Sequence, residues 1–390
     1  YKSLFIAFAG LLIACLFTLF LVNLGQITEP VSSDKAFLMG IMGLKVLAGY
    51  IPLIFCAYHL LEDRKTLFWL WRVQSVIILI CCVLLFIQYF LLVQGICPGN
   101  VGLEAPANDR ATLQARCFVG GSLLYNPARN LLRLPGTFVA PWQWGWFLIS
   151  SAFFTAAIVK SEPDKLWRIL AWLNIPVVLA ASIISGQRIA LALVPLIFLV
   201  LLIIQQKNWK NIALQLGGFA ILGIFLFTTV GIVKQQTINL INRWNYSPPT
   251  DFILNQFNWI WQNYLTLWGE GLGRATSAAR RLGDIKLVEV FYAKLLYEIG
   301  IVGTIAFLVL ITTIVILTFN VYLKLKTNSL RHLGLCLWLF VLFISYNPYY
   351  YPLAVDPVSV YYWFVVGILL KLPELENRQT NNYLLEDEKK

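Results

Sequence analysis

The sequence predicts an all-α, polytopic transmembrane bundle of about ten spans, with a large exoplasmic loop between spans 7 and 8. Three observations predict it. Apolar residues make up 59% of the 390-residue chain and charged ones only 13%, where soluble domains carry roughly 25% charged residues. Mean hydropathy is +0.73. Ten apolar runs approach the about 20 residues that cross a bilayer: 4–24, 36–58, 73–95, 139–159, 166–184, 189–205, 212–232, 293–319, 332–346 and 358–371.

The first run lacks a small-residue cleavage site and is followed by further spans, unlike a cleaved signal. Tyr1 is not an initiator, so further residues are expected before it. The second run holds Lys45 between Leu44 and Val46. Either Lys45 faces a polar interior and pairs with a carboxylate or phosphate, or the span begins later and leaves it at the surface. Both readings stand.

Loop 96–138 is rich in Gly, Pro and Asn and reads as irregular or as short helices. It holds Cys97 and Cys117, while Cys15, Cys56, Cys81, Cys82 and Cys336 lie in or beside apolar runs, where a thiol behaves as a small hydrophobe. A Cys97–Cys117 disulfide would need an oxidising compartment and would stabilise the loop by about 3 kcal/mol. The alternative is two unrelated thiols.

Between the fifth and sixth runs stands Ser185-Gly186-Gln187-Arg188, with almost no loop to solvate the arginine. Ionisable residues at membrane depth are costly and usually functional; snorkelling to the interface is the other reading. After the seventh run, loop 233–292 carries Arg274, Arg280, Arg281 and Lys286 just before the eighth. Glu289, at the dry boundary, is a candidate general base, against a plain solvated glutamate. Glu298, within the eighth run, is expected to pair with Lys294 one turn back. Gly300 and Gly303 would allow close helix approach.

Short loops rich in Lys and Arg stay cytoplasmic. Lys and Arg at 64, 65, 72, 160, 165, 168, 207, 210, 324, 326 and 331, and a tail at 372–390 with Arg378, Lys389 and Lys390 beyond Lys371, fall on one side of a ten-span chain. Both termini are then cytoplasmic, and 96–138 and 233–292 lie outside. On that outer face arginine outnumbers lysine nine to two: Arg110, Arg116, Arg129, Arg133, Arg188, Arg243, Arg274, Arg280 and Arg281, against Lys234 and Lys286. Guanidinium grips phosphate oxygens as a fixed fork, whereas ammonium is a point charge. An arginine-rich face beside apolar helices suits a diphosphate carried on a lipid.

The formal charge of +11 does not indicate nucleic acid, because the cations are spread over loops with no recognition module among them. No Walker loop, zinc-type Cys/His spacing or serine-hydrolase elbow is present, and GEGLGR at 269–274 has no βαβ context for a dinucleotide. His59 and His332 fall at cytoplasmic span ends. No cofactor and no metal is expected.

Four stretches resemble the O-antigen ligase and Wzy-type polymerase superfamily. They are Arg133-Leu134-Pro135-Gly136-Thr137-Phe138, Ser185-Gly186-Gln187-Arg188, the GEGLGR element, and Glu289-Val290 through Glu298-Ile299-Gly300, which is similar to a ligase pattern beginning His-Asn. The resemblance implies transfer of a polyprenyl-diphosphate-linked glycan to an acceptor glycan hydroxyl, outside a bacterial inner membrane, without metal or nucleotide. It implies that Arg188, Arg274, Arg280 and Arg281 hold the diphosphate. Glu289 stands where ligases have histidine, which favours a polymerase with Glu289 as base. Arg133 and Lys45 are further candidates for the anion, and Tyr292, with Trp259, Trp261 and Trp268, for stacking on sugars, although Trp and Tyr also mark membrane interfaces. Partners so implied are the lipid bilayer and polysaccharide export machinery. A ligase with a lipid acceptor, a transport or accessory protein, and a non-catalytic scaffold are the rival classes.

Overall fold

A computed structural model describes residues 1–28, 34–104, 107, 109–205 and 209–387. Lys207, Lys389, Lys390 and the side chain of Arg243 lie outside the described part. Among the described residues, nine helices are long and apolar enough to cross a membrane, and a tenth apolar helix, Arg188–Ile204, is shorter. Among the described residues, strand is confined to one two-stranded ribbon, and the protein is an all-α, multi-pass membrane protein by the length and composition of these helices.

The chain forms two compact units. The first comprises Tyr1–Leu60, Ser247–Lys324 and Phe340–Pro373; the second comprises Leu61–Tyr246, Leu325–Leu339 and Glu374–Lys390.

In the first unit, α1 (Lys2–Phe17) packs along α11 (Phe291–Lys324). A π-helical turn, Thr18–Asn23, ends α1 and turns Asn23 inward, where it is fully buried. The expected second span is broken in two, α2 (Ala36–Ala48) and α3 (Leu53–Leu60), around Gly49–Pro52; proline at 52 removes a backbone donor and fixes φ. Helix α11 is also broken. Gly300 sits at φ 64° and ψ −165°, so residues 291–299 and 301–324 are separate helical pieces. The Gly300–Gly303 spacing expected to bring two helices together marks a helix interruption instead.

In the second unit, α4 (Arg64–Val93) starts nine residues before the expected 73–95. Asp63 explains the early start, since its Oδ1 accepts from Thr66 N at 2.7 Å, an N-cap worth about 1 kcal/mol. That bond to the anion holds the Asp63 carboxyl below its ordinary pKa. Arg72, expected in a loop, therefore lies on α4, with its guanidinium on the buried Glu162 at 2.5 and 3.2 Å. Helix α5 (Pro141–Ser161) is the core of this unit and is buried nearly throughout, against α6 (Lys165–Ile184) and α7 (Arg188–Gln205). Its buried Ser150, Ser151 and Ser161 hydroxyls donate to carbonyls four residues back, which satisfies them inside the apolar core.

The chain continues through α8 (Trp209–Thr229), then directly into α9 (Gly231–Tyr246) and α10 (Pro249–Asn263), so the first half of the expected 233–292 loop is helical. Helices α12 (Asn328–Tyr346) and α13 (Val358–Asp387) follow. The tail expected from 372 onward is a continuation of α13 to Asp387. In loop 96–138, Cys97 and Cys117 are joined by a disulfide with a Cα–Cα distance of 5.7 Å. The buried Gln88 side chain donates to Cys117 O at 3.0 Å and Val119 O at 2.6 Å, fixing the loop on α4.

Candidate functional site

Of the four stretches that carry the family resemblance, two meet within each unit. In the second unit, strand β2 (Leu131–Arg133) pairs with β1 (Leu124–Asn126), Leu124 opposite Arg133. The α6–α7 turn lies on this ribbon. Leu134 N donates to Ser185 O at 2.9 Å. Gly186, at φ 65°, approaches so closely that a Cβ there would stand 2.0 Å from Leu132 O; only glycine accepts both the left-handed backbone and the approach. Ser185 Oγ accepts from Gln187 N at 3.2 Å and closes the turn.

The outcome is a cavity of about 280 Å³ lined by Arg129, Arg133, Arg188, Gln236, Asn239 and Asn242, among others. Arg133 ends β2 and is exposed; Arg188 opens α7 and is half-buried. Arg129 pairs with Asp109. Helix α9 presents Gln236, Asn239 and Asn242 at three-residue spacing, one face of the helix, and is tied to the ribbon where Gln235 Nε2 donates to Asn130 Oδ1 at 2.6 Å. The Arg133 and Arg188 guanidinium groups beside three amides can take a phosphorylated, hydroxyl-rich ligand: forks for the oxyanions, amides for hydroxyls.

In the first unit, the GEGLGR loop meets the Glu289–Gly300 stretch. Glu270 N donates to Tyr297 O at 2.7 Å, and beyond the break at Gly300, Ile301 N and Val302 N donate to Thr266 O and Leu267 O at 3.1 and 3.2 Å. The helix break thus hands its open amides to the loop. Asn23 holds the other side, with Oδ1 accepting from Leu272 N at 2.9 Å and Nδ2 donating to Leu272 O and Ala36 O, both at 3.0 Å.

Arg274 is engaged within the unit. Its Nη1 donates to Asp34 Oδ2 at 2.6 Å, and Nε and Nη2 donate to Gln26 Oε1 at 3.2 and 2.9 Å. The expected Lys294–Glu298 ion pair is not formed. Glu298 Oε1 accepts from Ala275 N at 2.8 Å and Thr276 Oγ1 at 2.9 Å, while Lys294 Nζ stands 5.7 Å from the centroid of the Tyr351 ring. The loop's open amide and hydroxyl outcompete the lysine because they reach the carboxylate at short range.

Glu289 is held by its backbone: Gln256 Oε1 accepts from Glu289 N at 2.8 Å and Val290 N at 2.9 Å, and Phe291 N donates to Pro348 O at 2.7 Å. Its half-buried carboxyl is pushed above the ordinary carboxylate pKa by burial. Nearby Tyr351 is pushed up to about 12, first by burial, then by Glu289 and Tyr350, with Arg280 opposing. Glu289, Arg280 and Tyr351 therefore form one electrostatic cluster. Arg280 and Arg281 are exposed. Lys286 Nζ donates to Tyr264 OH at 3.1 Å and stands 5.8 Å from the Trp259 ring centroid. Tyr292 OH donates to Ser345 O. Lys45 is exposed on the last turn of α2. Among the described residues, no group of three or more His, Cys, Asp or Glu side chains converges as a metal site would require.

Sequence reasoning did not single out the α9 amides, Tyr351 or Asn23. The amides carried a signal, their spacing of three in a stretch read as loop. Tyr350 and Tyr351 carried none: successive left-handed residues at φ 52° and 34° are a backbone conformation that non-glycine residues adopt only where the surroundings impose it.

No family model and no curated protein matches this chain.

Proposed function

We propose that the protein is a bacterial inner-membrane glycan polymerase with ten spans and both termini cytoplasmic. It transfers polyprenyl-diphosphate-linked oligosaccharide to a sugar hydroxyl in cell-envelope polysaccharide synthesis. The observation that supports it best is the cavity where Arg129, Arg133 and Arg188 converge with Gln236, Asn239 and Asn242. In this reading Arg133 and Arg188 hold the diphosphate, and the amides hold sugar hydroxyls.

The acceptor oxygen attacks the anomeric carbon, and the anomeric C–O bond to the diphosphate breaks. The bonding pair leaves with the diphosphate, whose added charge the guanidinium groups stabilise; such fixed electrostatic help is commonly the largest catalytic contribution. The acceptor's proton must pass to a general base; the candidate the sequence offers for that role is Glu289, whose raised pKa makes it a stronger base than an ordinary carboxylate. Arg280 and Arg281 serve as exposed anion contacts. Arg274, already bound to Asp34 and Gln26, positions the glycine-rich loop.

The test is chain extension by purified protein in nanodiscs, given a polyprenyl-diphosphate oligosaccharide. A ladder of products is expected. Arg188→Ala and Arg133→Ala should abolish it, and Arg188→Lys should lose about tenfold or more because charge is kept but the fork is not. No product from a competent donor would overturn the polymerase reading, and would favour transfer to a lipid acceptor or a transport role.

A further inference from the structure

A second, smaller cavity lies in the first unit, about 80 Å³, lined by Lys294, Tyr351, Ser277 and Thr276 among apolar residues that include Val288 and Ala354. Lys294 is only 6% exposed. It stands in the first turn of α11, where the helix N-terminus already carries partial positive charge. An ammonium group brings three donors and no acceptor. Among the described residues its ammonium has no carboxylate within ion-pair distance and no hydrogen-bond acceptor; it stands 5.7 Å from the centroid of the Tyr351 ring. Glu298, one turn on, accepts instead from Ala275 N and Thr276 Oγ1.

A cation on a side chain this buried, at the positive end of a helix and with no carboxylate beside it, is unfavourable, and buried donors nearly always have partners. The cavity supplies the place for one. Its other polar groups are hydroxyls: Ser277, exposed at the rim, and the Tyr351 phenol, both without a hydrogen-bond partner among the described residues. Thr276 already gives its hydrogen to Glu298. Binding pockets for whole small molecules run about 300–1,000 Å³, so this one takes a single functional group.

The geometry points to Lys294, Tyr351 and Ser277 as a subsite for one small oxyanion, either the carboxylate of an acidic sugar or a single phosphoryl group. Lysine, a compact point charge, suits a group that need not be gripped by a fork. The subsite is distinct from the arginine cavity of the second unit. Its test is binding, so it stands or falls independently of the transfer reaction.

The experiment uses the full chain in nanodiscs, in buffer free of phosphate and carboxylates, with glucuronate, inorganic phosphate and neutral glucose as probes. Calorimetric titration should show saturable binding of glucuronate, phosphate or both, and none of glucose. Lys294→Met should weaken that binding at least tenfold, and Tyr351→Phe several-fold. Without probe, Lys294→Met should unfold at a higher temperature than the parent, because it removes the uncompensated charge; where that variant does not fold, Tyr351→Phe still reports. Glucuronate alone would assign the group to an acidic sugar, and phosphate alone to a phosphoryl group. Binding of neither, or binding unchanged in both variants, would overturn the proposal.

Discussion

Leu134 N donates to Ser185 O at 2.9 Å, and this bond sets Arg133 and Arg188 on the walls of one cavity although 54 residues of sequence separate them. The two residues come from a strand end and a helix start, each of which has few orientations once the bond is made. Gly186 makes the bond achievable.

Gly186→Ala should therefore cost more than its size suggests. The left-handed backbone alone costs about 1–3 kcal/mol for a non-glycine residue, and the new Cβ would meet Leu132 O at 2.0 Å. Thermal unfolding should fall accordingly, and on the proposed reaction the rate should drop by about 10²-fold, as for a catalytic group misplaced by about an ångström. Gly217→Ala in α8, where nothing lies within 4 Å, is the control and should be neutral or slightly stabilising.

Asn23 is a structural clamp and should behave as one. Asn23→Leu keeps the branched shape but orphans Leu272 N and Leu272 O and removes a donor from Ala36 O, at about 1–3 kcal/mol for each orphaned group that water cannot reach. A lower unfolding temperature is expected. Asn23→Asp should be worse, since the carboxylate keeps the acceptor, loses the donors and buries a charge. An unchanged melting curve would show that the loop does not depend on this clamp.

The proposed reaction should fade with acid. Burial raises the Glu289 pKa, so the base is ionised, and competent, only at pH above that raised value. The acidic limb of the rate profile should then lie above the ordinary carboxylate range, about 4.3 for glutamate. Glu289→Gln should remove activity at every pH. The linkage has the opposite sign for stability. The folded state holds this proton more tightly than the unfolded chain, so Glu289 contributes stability below the unfolded pKa and loses it as pH rises through the folded one. Glu289→Gln should flatten that part of the stability curve.

The disulfide closes 20 residues of sequence. Replacing both Cys97 and Cys117 by Ser should cost about 3 kcal/mol. Reductant should lower the unfolding temperature of the parent by a similar amount and leave the double variant unaffected. The buried Asn100, whose side chain binds Ala107 O, Arg110 O and Tyr125 N, keeps part of the loop ordered, so the loss should be partial.

The apolar runs were legible because hydrophobic length is a local property, and they mark every helix from α1 to α13 except α9 and α10, which are too polar to register as spans. The ends were less so. Asp63 extends α4 by nine residues through a cap that precedes the apolar run, and Gly300 splits α11 through a backbone angle that hydropathy does not register. The failure at Lys294 and Glu298 has the same origin. Helical spacing correctly places the two on one face, but the carboxylate goes to Ala275 and Thr276, which belong to a loop more than 20 residues away.

By itself the sequence determined that the chain is a helical, multi-pass membrane protein, because exposing so much apolar side chain to water is prohibitive and the runs have bilayer length. It also marked out the four stretches that meet in pairs. Which stretch meets which, that Arg274 is committed to Asp34 while Arg133 and Arg188 share a cavity, and that Lys294 faces a hollow lined by Tyr351, only the tertiary structure decided. Those outcomes depend on competition among donors and acceptors brought together from distant parts of the chain, and distances of a few tenths of an ångström settle that competition.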